Sequence, residues 1–430
     1  MRVSFVSLCF SFVVLFVSCT SRAQSYPQIS TGQSICYDLD GVAIDRSVQC
    51  DLLYGQDADY GCGASMSFRD NGDGTVTDLN TGLMWQQTPL SGGATWSGAQ
   101  DYCLELDLAG YSDWRLPTAK ELFSISDMGE GWPYIDTAYF HLARGITKDE
   151  QYWSSNKYVG ETVEGGFNAA FGVNHVTGHI KAYSASDSMS PRGGQGEPRV
   201  QGEQGRPQGG GQHPPQMAGH GRPIGQGGQR PPQMGGDGRP QMANRLAKQV
   251  RAVRGSVYGE NDFVDNGDGT ISDRATGLMW SKDDSGSEGM TWVDALVYAQ
   301  KSELAGYTDW RLPNVKELQA IVDYSSAPSS KSANTPAISP VFSCSAIVNE
   351  NNDSDFGYYW SSTSARFTSG QPMYFAWYVA FGRAVNDRGL DYHGAGAVRF
   401  DSKSNDGRKV EGGEERYYNI VRLVRSDKSE

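Results

Sequence analysis

The chain has 430 residues, with 37 Lys/Arg against 50 Asp/Glu for a formal net charge of −13, and aromatic residues make up 11% of it. That length suits two or three domains, and ten Trp exclude disorder throughout. The acidic surplus excludes general nucleic-acid binding by the folded parts, because attraction to phosphate requires a basic face.

Met1-Arg2 precedes an apolar run from Val3 to Val17, which reads as the charged start and short apolar core of a secretory signal. The run is too short to span a bilayer as a helix, so residues 1–23 are read as a signal peptide rather than a transmembrane anchor. Two cleavage points fit. One follows Ala23 in the small-x-small Ser21-Arg22-Ala23; the other precedes Cys19 in "FVSC", which resembles a lipoprotein box and would leave a lipid anchor on Cys19. Export permits disulfides. Residues 24–67 form a Cys-containing extension with Cys36, Cys50 and Cys62, and Cys103 and Cys344 follow. None of the spacings is the close CxxC of a zinc or redox site, so structural bridges are expected from Cys36 to Cys50 and from Cys62 to Cys103, with Cys344 left over.

"DNGDGTVTDLNTGLMW" runs from Asp70 to Trp85 and returns as "DNGDGTISDRATGLMW" from Asp265 to Trp280, 195 positions later. That offset far exceeds a solenoid period of roughly 20–50 residues, so each copy opens a domain. A hairpin accounts for the phrase: Phe68 and Val76 lie on flanking strands, and Asn71-Gly72 or Asp73-Gly74 supplies the positive-φ turn residues. The competing reading is calcium held by Asp70, Asp73 and Asp78, and by Asp265, Asp268 and Asp273, since calcium takes oxygen ligands. Gly72 stands where an EF-hand requires its third-position ligand and no bidentate Glu follows at the right distance, so the hairpin is favoured and calcium is the one cofactor left open.

"TWSGAQDYCLELDLAG" (Thr95 to Gly110) and "TWVDALVYAQKSELAG" (Thr291 to Gly306) have the three-and-four apolar spacing of a helix capped by Thr and stopped by Gly. "YSDWRLPTAKEL" from Tyr111 and "YTDWRLPNVKEL" from Tyr307 follow. In these, Thr118 to Glu121 and Asn314 to Glu317 match the capping-box pattern, predicting a second helix that buries Leu122 and Ile125, or Leu318 and Ile321. "YWSSN" at Tyr152 and "YWSST" at Tyr359, then "AAFG" at Ala169 and "VAFG" at Val379, suit strands. "VRAVRG" at Val250 parallels "VRLVRS" at Val421, although a Gly/Pro/Gln tract at about 188–243 precedes only the first. The tract is therefore an insertion within the first repeat. Its composition predicts disorder, and the region from Pro191 to Arg254 carries ten Lys/Arg against three Asp/Glu, leaving the rest of the chain more acidic still.

Together "TGQSICYDLDG", "DNGDGTVTD", "TGLMW", "GYSDWRLP", "KEL" and "YWSS" resemble tandem copies of the C-terminal domain of Legionella collagen-like adhesins (Lcl). The resemblance covers 68–255 outside the insertion and 263–425. It implies an α+β fold of two C-type-lectin-like domains, each with two helices against irregular antiparallel strands. It also implies an adhesin-like binding protein, since the adhesins of the name bind sulfated glycosaminoglycans. This chain lacks their collagen region, and its acidic balance suits a polyanion poorly. Related sequences often carry a Cys in the closing "VRxVR" strand, where Ala252 and Leu423 stand here, so the resemblance implies that Cys103 has lost that partner.

Within "DWRLP", Arg115 and Arg311 are expected to satisfy backbone carbonyls or an Asp such as Asp113 or Asp309. Trp132, Tyr134, Tyr374 and Trp377 are candidates for stacking on sugars, although aromatic residues at this density more often form core. His175 and His179 in "HVTGH" are expected to be solvated rather than metal-bound. The motifs of hydrolases, zinc proteases and dinucleotide enzymes are missing, so no catalytic residues are assigned and an enzyme is not expected. The sequence thus reads as an exported binding protein of the periplasm, outer membrane or exterior, with a glycan as ligand. The alternative is a non-catalytic envelope protein that assembles with a protein partner.

Overall fold

The computed structural model describes residues 25–427 apart from 50, 130, 188–245, 329–334, 387–388 and 406–415. The signal segment, Cys19, Cys50 and the Gly/Pro/Gln tract therefore lie outside the described residues.

Each repeat begins with a small antiparallel sheet. In the first, β1 (Phe68–Asp70), β2 (Thr75–Asp78) and β3 (Met84–Gln86) are closed by β7 (Val253–Arg254), with Trp85 paired to Val253. In the second, β8 (Phe263–Asp265), β9 (Thr270–Asp273) and β10 (Leu278–Ser281) are closed by β16 (Val424–Ser426), with Trp280 paired to Val424. The chain thus returns after the insertion to complete the first repeat. Two helices follow each small sheet: α2 (Trp96–Glu105) and α3 (Ala119–Ser124), then α4 (Trp292–Gln300) and α5 (Val315–Ala320). Thr95 and Thr291 cap the longer helices as expected.

The remaining strands do not stay within their repeats. β4 (Gln151–Tyr158), β5 (Ala169–Asn174) and β6 (Ile180–Ser184) join β13 (Tyr358–Ala365), β14 (Phe375–Ala380) and β15 (Val398–Ser402) in one antiparallel sheet of order β13-β14-β15-β6-β5-β4. The repeats meet at Ile180 opposite Val398. A two-stranded ribbon, β11 (Ala346–Val348) and β12 (Ser354–Phe356), is added to the second repeat. One face of the large sheet packs on α3 and α5 in a single apolar cluster that includes Val76, Leu122 and Phe171 from the first repeat and Ile271, Leu318 and Trp377 from the second. On the other face, α2 covers one cluster (Ala99, Cys103, Trp114, Ala252) and α4 another (Trp292, Ala295, Trp310, Leu423). The architecture is mixed, with short helices against antiparallel sheets in two regions.

The repeated "WRLPxxKEL" is explained residue by residue. Trp114, Leu116 and Leu122 are buried, as are Trp310, Leu312 and Leu318. Both expected capping boxes form, at Thr118/Glu121 and Asn314/Glu317. Of the two expected partners, Arg115 takes a backbone carbonyl, Gly255 O (3.3 Å), but neither arginine takes the Asp. Arg115 donates to both oxygens of Glu121 (2.7 and 2.6 Å), and Arg311 does the same to Glu317, while Asp113 and Asp309 pair with Arg254 and Arg425 of the closing strands. The reason is geometric: a Glu already turned back to cap its helix presents both carboxylate oxygens to the preceding arginine. The Arg311–Glu317 pair is only 5% and 1% exposed, against 27% and 0% for Arg115–Glu121.

The extension is a strap across the repeat interface. Ser30 O accepts from Lys316 Nζ (2.9 Å) and Thr31 O from Met128 N (2.7 Å), and the Gln33 amide forms a double hydrogen bond with the Ser364 backbone. On α1 (Asp57–Tyr60), buried Asp57 accepts from Thr31 and Thr363. Lys316 also donates to Ser124 O of the first repeat, and burial pushes its ammonium down to about 7.

Two outcomes follow from these burials. Replacing Glu317 by Ala leaves Arg311 buried without its counter-ion and should cost about 3–5 kcal/mol in chemical denaturation, with a smaller loss for Glu121→Ala because Arg115 is partly solvated. Lys316 binds a proton in the unfolded chain up to about its ordinary pKa but loses it in the folded chain near 7. Stability should therefore rise with pH between about 7 and 10.5, and melting curves of Lys316→Met should show a flatter rise across that window.

Candidate functional site

The duplication also relates two grooves between the repeats, Lys120 and Met128 lying 196 positions before Lys316 and Tyr324, and Asn156 of "YWSSN" matching Thr363 of "YWSST". The strap fills the groove beside Lys316, Thr363 and Met128. Its counterpart, beside Lys120, Asn156 and Tyr324, is an open cleft of about 450 Å³. Its walls are Thr118 at the start of α3, Val257 to Asn261 between the repeats, and Ile321 to Ser325 after α5. Lys120 Nζ donates to Gly259 O (3.0 Å) and Asn261 Oδ1 (2.9 Å), and burial pushes it down to about 8. Asn156 Oδ1 accepts from Ala119 N (2.8 Å), as Thr363 Oγ1 does from Val315 N.

A second feature lies where β6 meets β15, on the sheet face turned away from the shared core. Side chains alternate along a strand, so with Ile180 and Val398 turned inward, Lys181, Tyr183 and Arg399 face out. Lys181 Nζ is 5.4 Å from the Tyr183 ring centroid and 5.0 Å from that of Tyr392, and Lys248 Nζ is 5.0 Å from Tyr183. Arg399 lies against His393 (3.4 Å), and Glu164 is 3.9 Å from Lys181. Burial lowers the affinity of Lys181 and Lys248 for their protons and holds His393 neutral. Nothing in the sequence reading singled out this seam, because its members come from separate segments.

Other sequence candidates land differently. Cys62 and Cys103 are free thiols, not a bridge, and so are Cys36 and Cys344. Cys103 is enclosed with Ala252 under α2, whereas Cys62 lies near Arg311 and Glu317 of the second repeat. The bridge from Cys36 to Cys50 concerns an undescribed residue. Neither His175 nor His179 is solvated as expected: His175 is buried against Tyr152 and His179 is half-buried, stacked on Phe400, and desolvation drives both well below the usual imidazole range. Of the four aromatic candidates, Tyr134 and Trp377 form an edge-on core pair at 5.3 Å, while Trp132 and Tyr374 are half-buried around it, against Phe367 and Phe375.

A family model described as the Lcl C-terminal domain matches residues 74–192 and 269–425, more than half of the chain. The chain belongs to that family. No curated protein and no solved structure matches it. Both Lcl matches open on the same turn residue, Gly74 and Gly269, and the first stops before β7, the strand that completes that domain beyond the insertion.

The aspartates at the head of each Lcl domain serve their own turns. Asp70 Oδ1 accepts from Gly72 N and Asp265 Oδ1 from Gly267 N, while Asp73 and Asp268 each take the amide and hydroxyl of the Thr two residues on. Asp78 and Asp273 are buried and cap the next turn, at Asn80 and Ala275. Gly72, bonded first, and Gln87 hold the Asp70 carboxyl below its usual range, and Lys282 does so for Asp265. Among the described residues no group of three or more such side chains is placed to hold a metal. Gly72 and Gly267 have φ of 75° and 78°, and a Cβ on either would meet nothing, so only backbone strain opposes substitution there. Gly267→Val should therefore cost about 1–2 kcal/mol. Asp268→Asn should change stability little, and millimolar calcium should leave the wild-type melting temperature in place; a calcium shift of several degrees that the Asp change removes would reverse this reading.

Proposed function

We propose that the protein is an exported, non-catalytic binding protein of adhesin type, working in the periplasm, on the outer membrane or outside the cell, and that its ligand is a glycan held at the β6/β15 seam. Membership of the Lcl family supports the adhesin-type reading. The signal-like start supports export, and no helix among the described residues is long and apolar enough to cross a membrane. A C-type-lectin-like fold is part of the same reading.

The observation that carries the glycan is the seam itself. In a chain of net charge −13, Lys181 lies over the half-buried rings of Tyr183 and Tyr392 and Lys248 over that of Tyr183, with Arg399 close by against His393. Rings of this kind stack on sugar faces, and neighbouring cations hold carboxylate or sulfate substituents. A surface that is basic locally removes the objection that the whole chain is too acidic for an anionic polysaccharide, because screening at physiological salt limits distant charges to about 8 Å. Both repeats contribute to the seam, which gives the tandem arrangement a purpose that a single copy would not serve.

A glycan array of the signal-free protein should show binding to acidic oligosaccharides that weakens with salt and falls at least tenfold in a Lys181→Ala, Tyr392→Ala double variant with an unchanged melting temperature. Silence across the array, with and without calcium, would reject the glycan.

A further inference from the structure

The pseudo-twofold relation between the repeats gives the open cleft an internal reference: its counterpart is occupied, and by polypeptide. In the strapped groove three donors are satisfied by the strap. Lys316 Nζ donates to Ser30 O, Met128 N to Thr31 O, and Thr363 Oγ1 to the Asp57 carboxylate. The corresponding groups in the open cleft are Lys120, Tyr324 and Asn156. Lys120 uses two of its three N–H donors, and neither the Tyr324 amide nor the Asn156 side-chain NH₂ has a hydrogen-bond partner among the described residues. Three donors whose equivalents bind two successive backbone carbonyls and a carboxylate thus line an open cavity.

We propose that this cleft is a docking site for an extended segment of a partner polypeptide, with backbone carbonyls on Lys120 and Tyr324 and an Asp or Glu side chain on Asn156. Glu260 and Asp323, on the opposite walls, are acceptors for the segment's own N–H groups. The protein's own strap does not serve both grooves, because the two differ at one position. Gly129 lies under the strap so closely that a Cβ there would stand 2.8 Å from Gly32 O. The equivalent residue of the open cleft is Ser325, whose side chain occupies that space and bonds Asp323. The segment that docks must therefore stand farther out at this point than Thr31-Gly32 does. This inference is separate from the glycan at the seam, which uses other residues.

The test is a random dodecapeptide phage library panned against the signal-free full chain, with counter-selection on Ser325→Trp. Enriched peptides should carry an acidic residue and should bind at least tenfold more weakly to Ser325→Trp, to Val257→Trp at the exposed rim, and to Asn156→Asp. The last variant keeps the oxygen that caps α3 and replaces the donor with a charge that repels the peptide's carboxylate. Lys181→Ala at the seam should leave peptide binding unchanged. Failure of any peptide to enrich over the counter-selection would overturn the proposal. So would binding that survives both Trp variants, or displacement of the peptides by an oligosaccharide that the wild type binds and Ser325→Trp does not.

Discussion

A glutamate that performs two tasks at once holds each repeat in shape. Glu121 and Glu317 cap the helices they belong to and neutralise the arginines three positions ahead of those caps. Because the arginine is anchored, its main chain pairs with the closing strand, Arg115 with Val253 and Arg311 with Val424. One carboxylate therefore fixes the start of a helix, the preceding turn and the last strand of the domain. The helices concerned have six residues each, too short to persist in water without such support. In the first repeat the last strand is separated from the rest by the insertion, and this ionic joint helps draw it back into place.

The parts legible in the sequence were those whose cause is local. Capping residues, turn glycines and the three-and-four spacing of α2 and α4 depend on near neighbours, and the two copies reinforced each other. What escaped depends on distance in sequence. Lys120 and Lys316 look like ordinary solvent-facing residues of a helix, yet both lie at the repeat interface, and no local pattern marks a lysine whose partners lie 139 to 286 residues away. His179 of "HVTGH" shows the same effect: a turn near Gly178 suggests exposure, but the second repeat covers it with Trp377 and Phe400. The joining of two three-stranded sheets into one rests on a single paired position and carries no sequence signature.

The interface between repeats also accounts for where unpaired donors and clustered cations gather. Within a repeat, polar groups are consumed by caps, turns and the arginine joints. Between repeats the match is imperfect, because Asn156 stands where the second repeat has Thr363, and Gly129 stands where it has Ser325. Duplication followed by such small divergences leaves equivalent positions in unequal surroundings, and unequal surroundings are what allow one groove to be closed and the other kept open.

The two edges of the insertion are pinned to the same few residues. On the near side, Asp187 accepts from Ser97 at the start of α2; on the far side, Lys248 pairs with Ala94 just before it. The gap in the fold that the tract must bridge is thus small and set by the domain, not by the tract. Evolution can lengthen, shorten or rewrite that stretch with a free-energy penalty that grows only logarithmically with its length. The position thus acts as a splice point within the domain, where the inserted sequence can change while the strands and helix on either side of it stay the same.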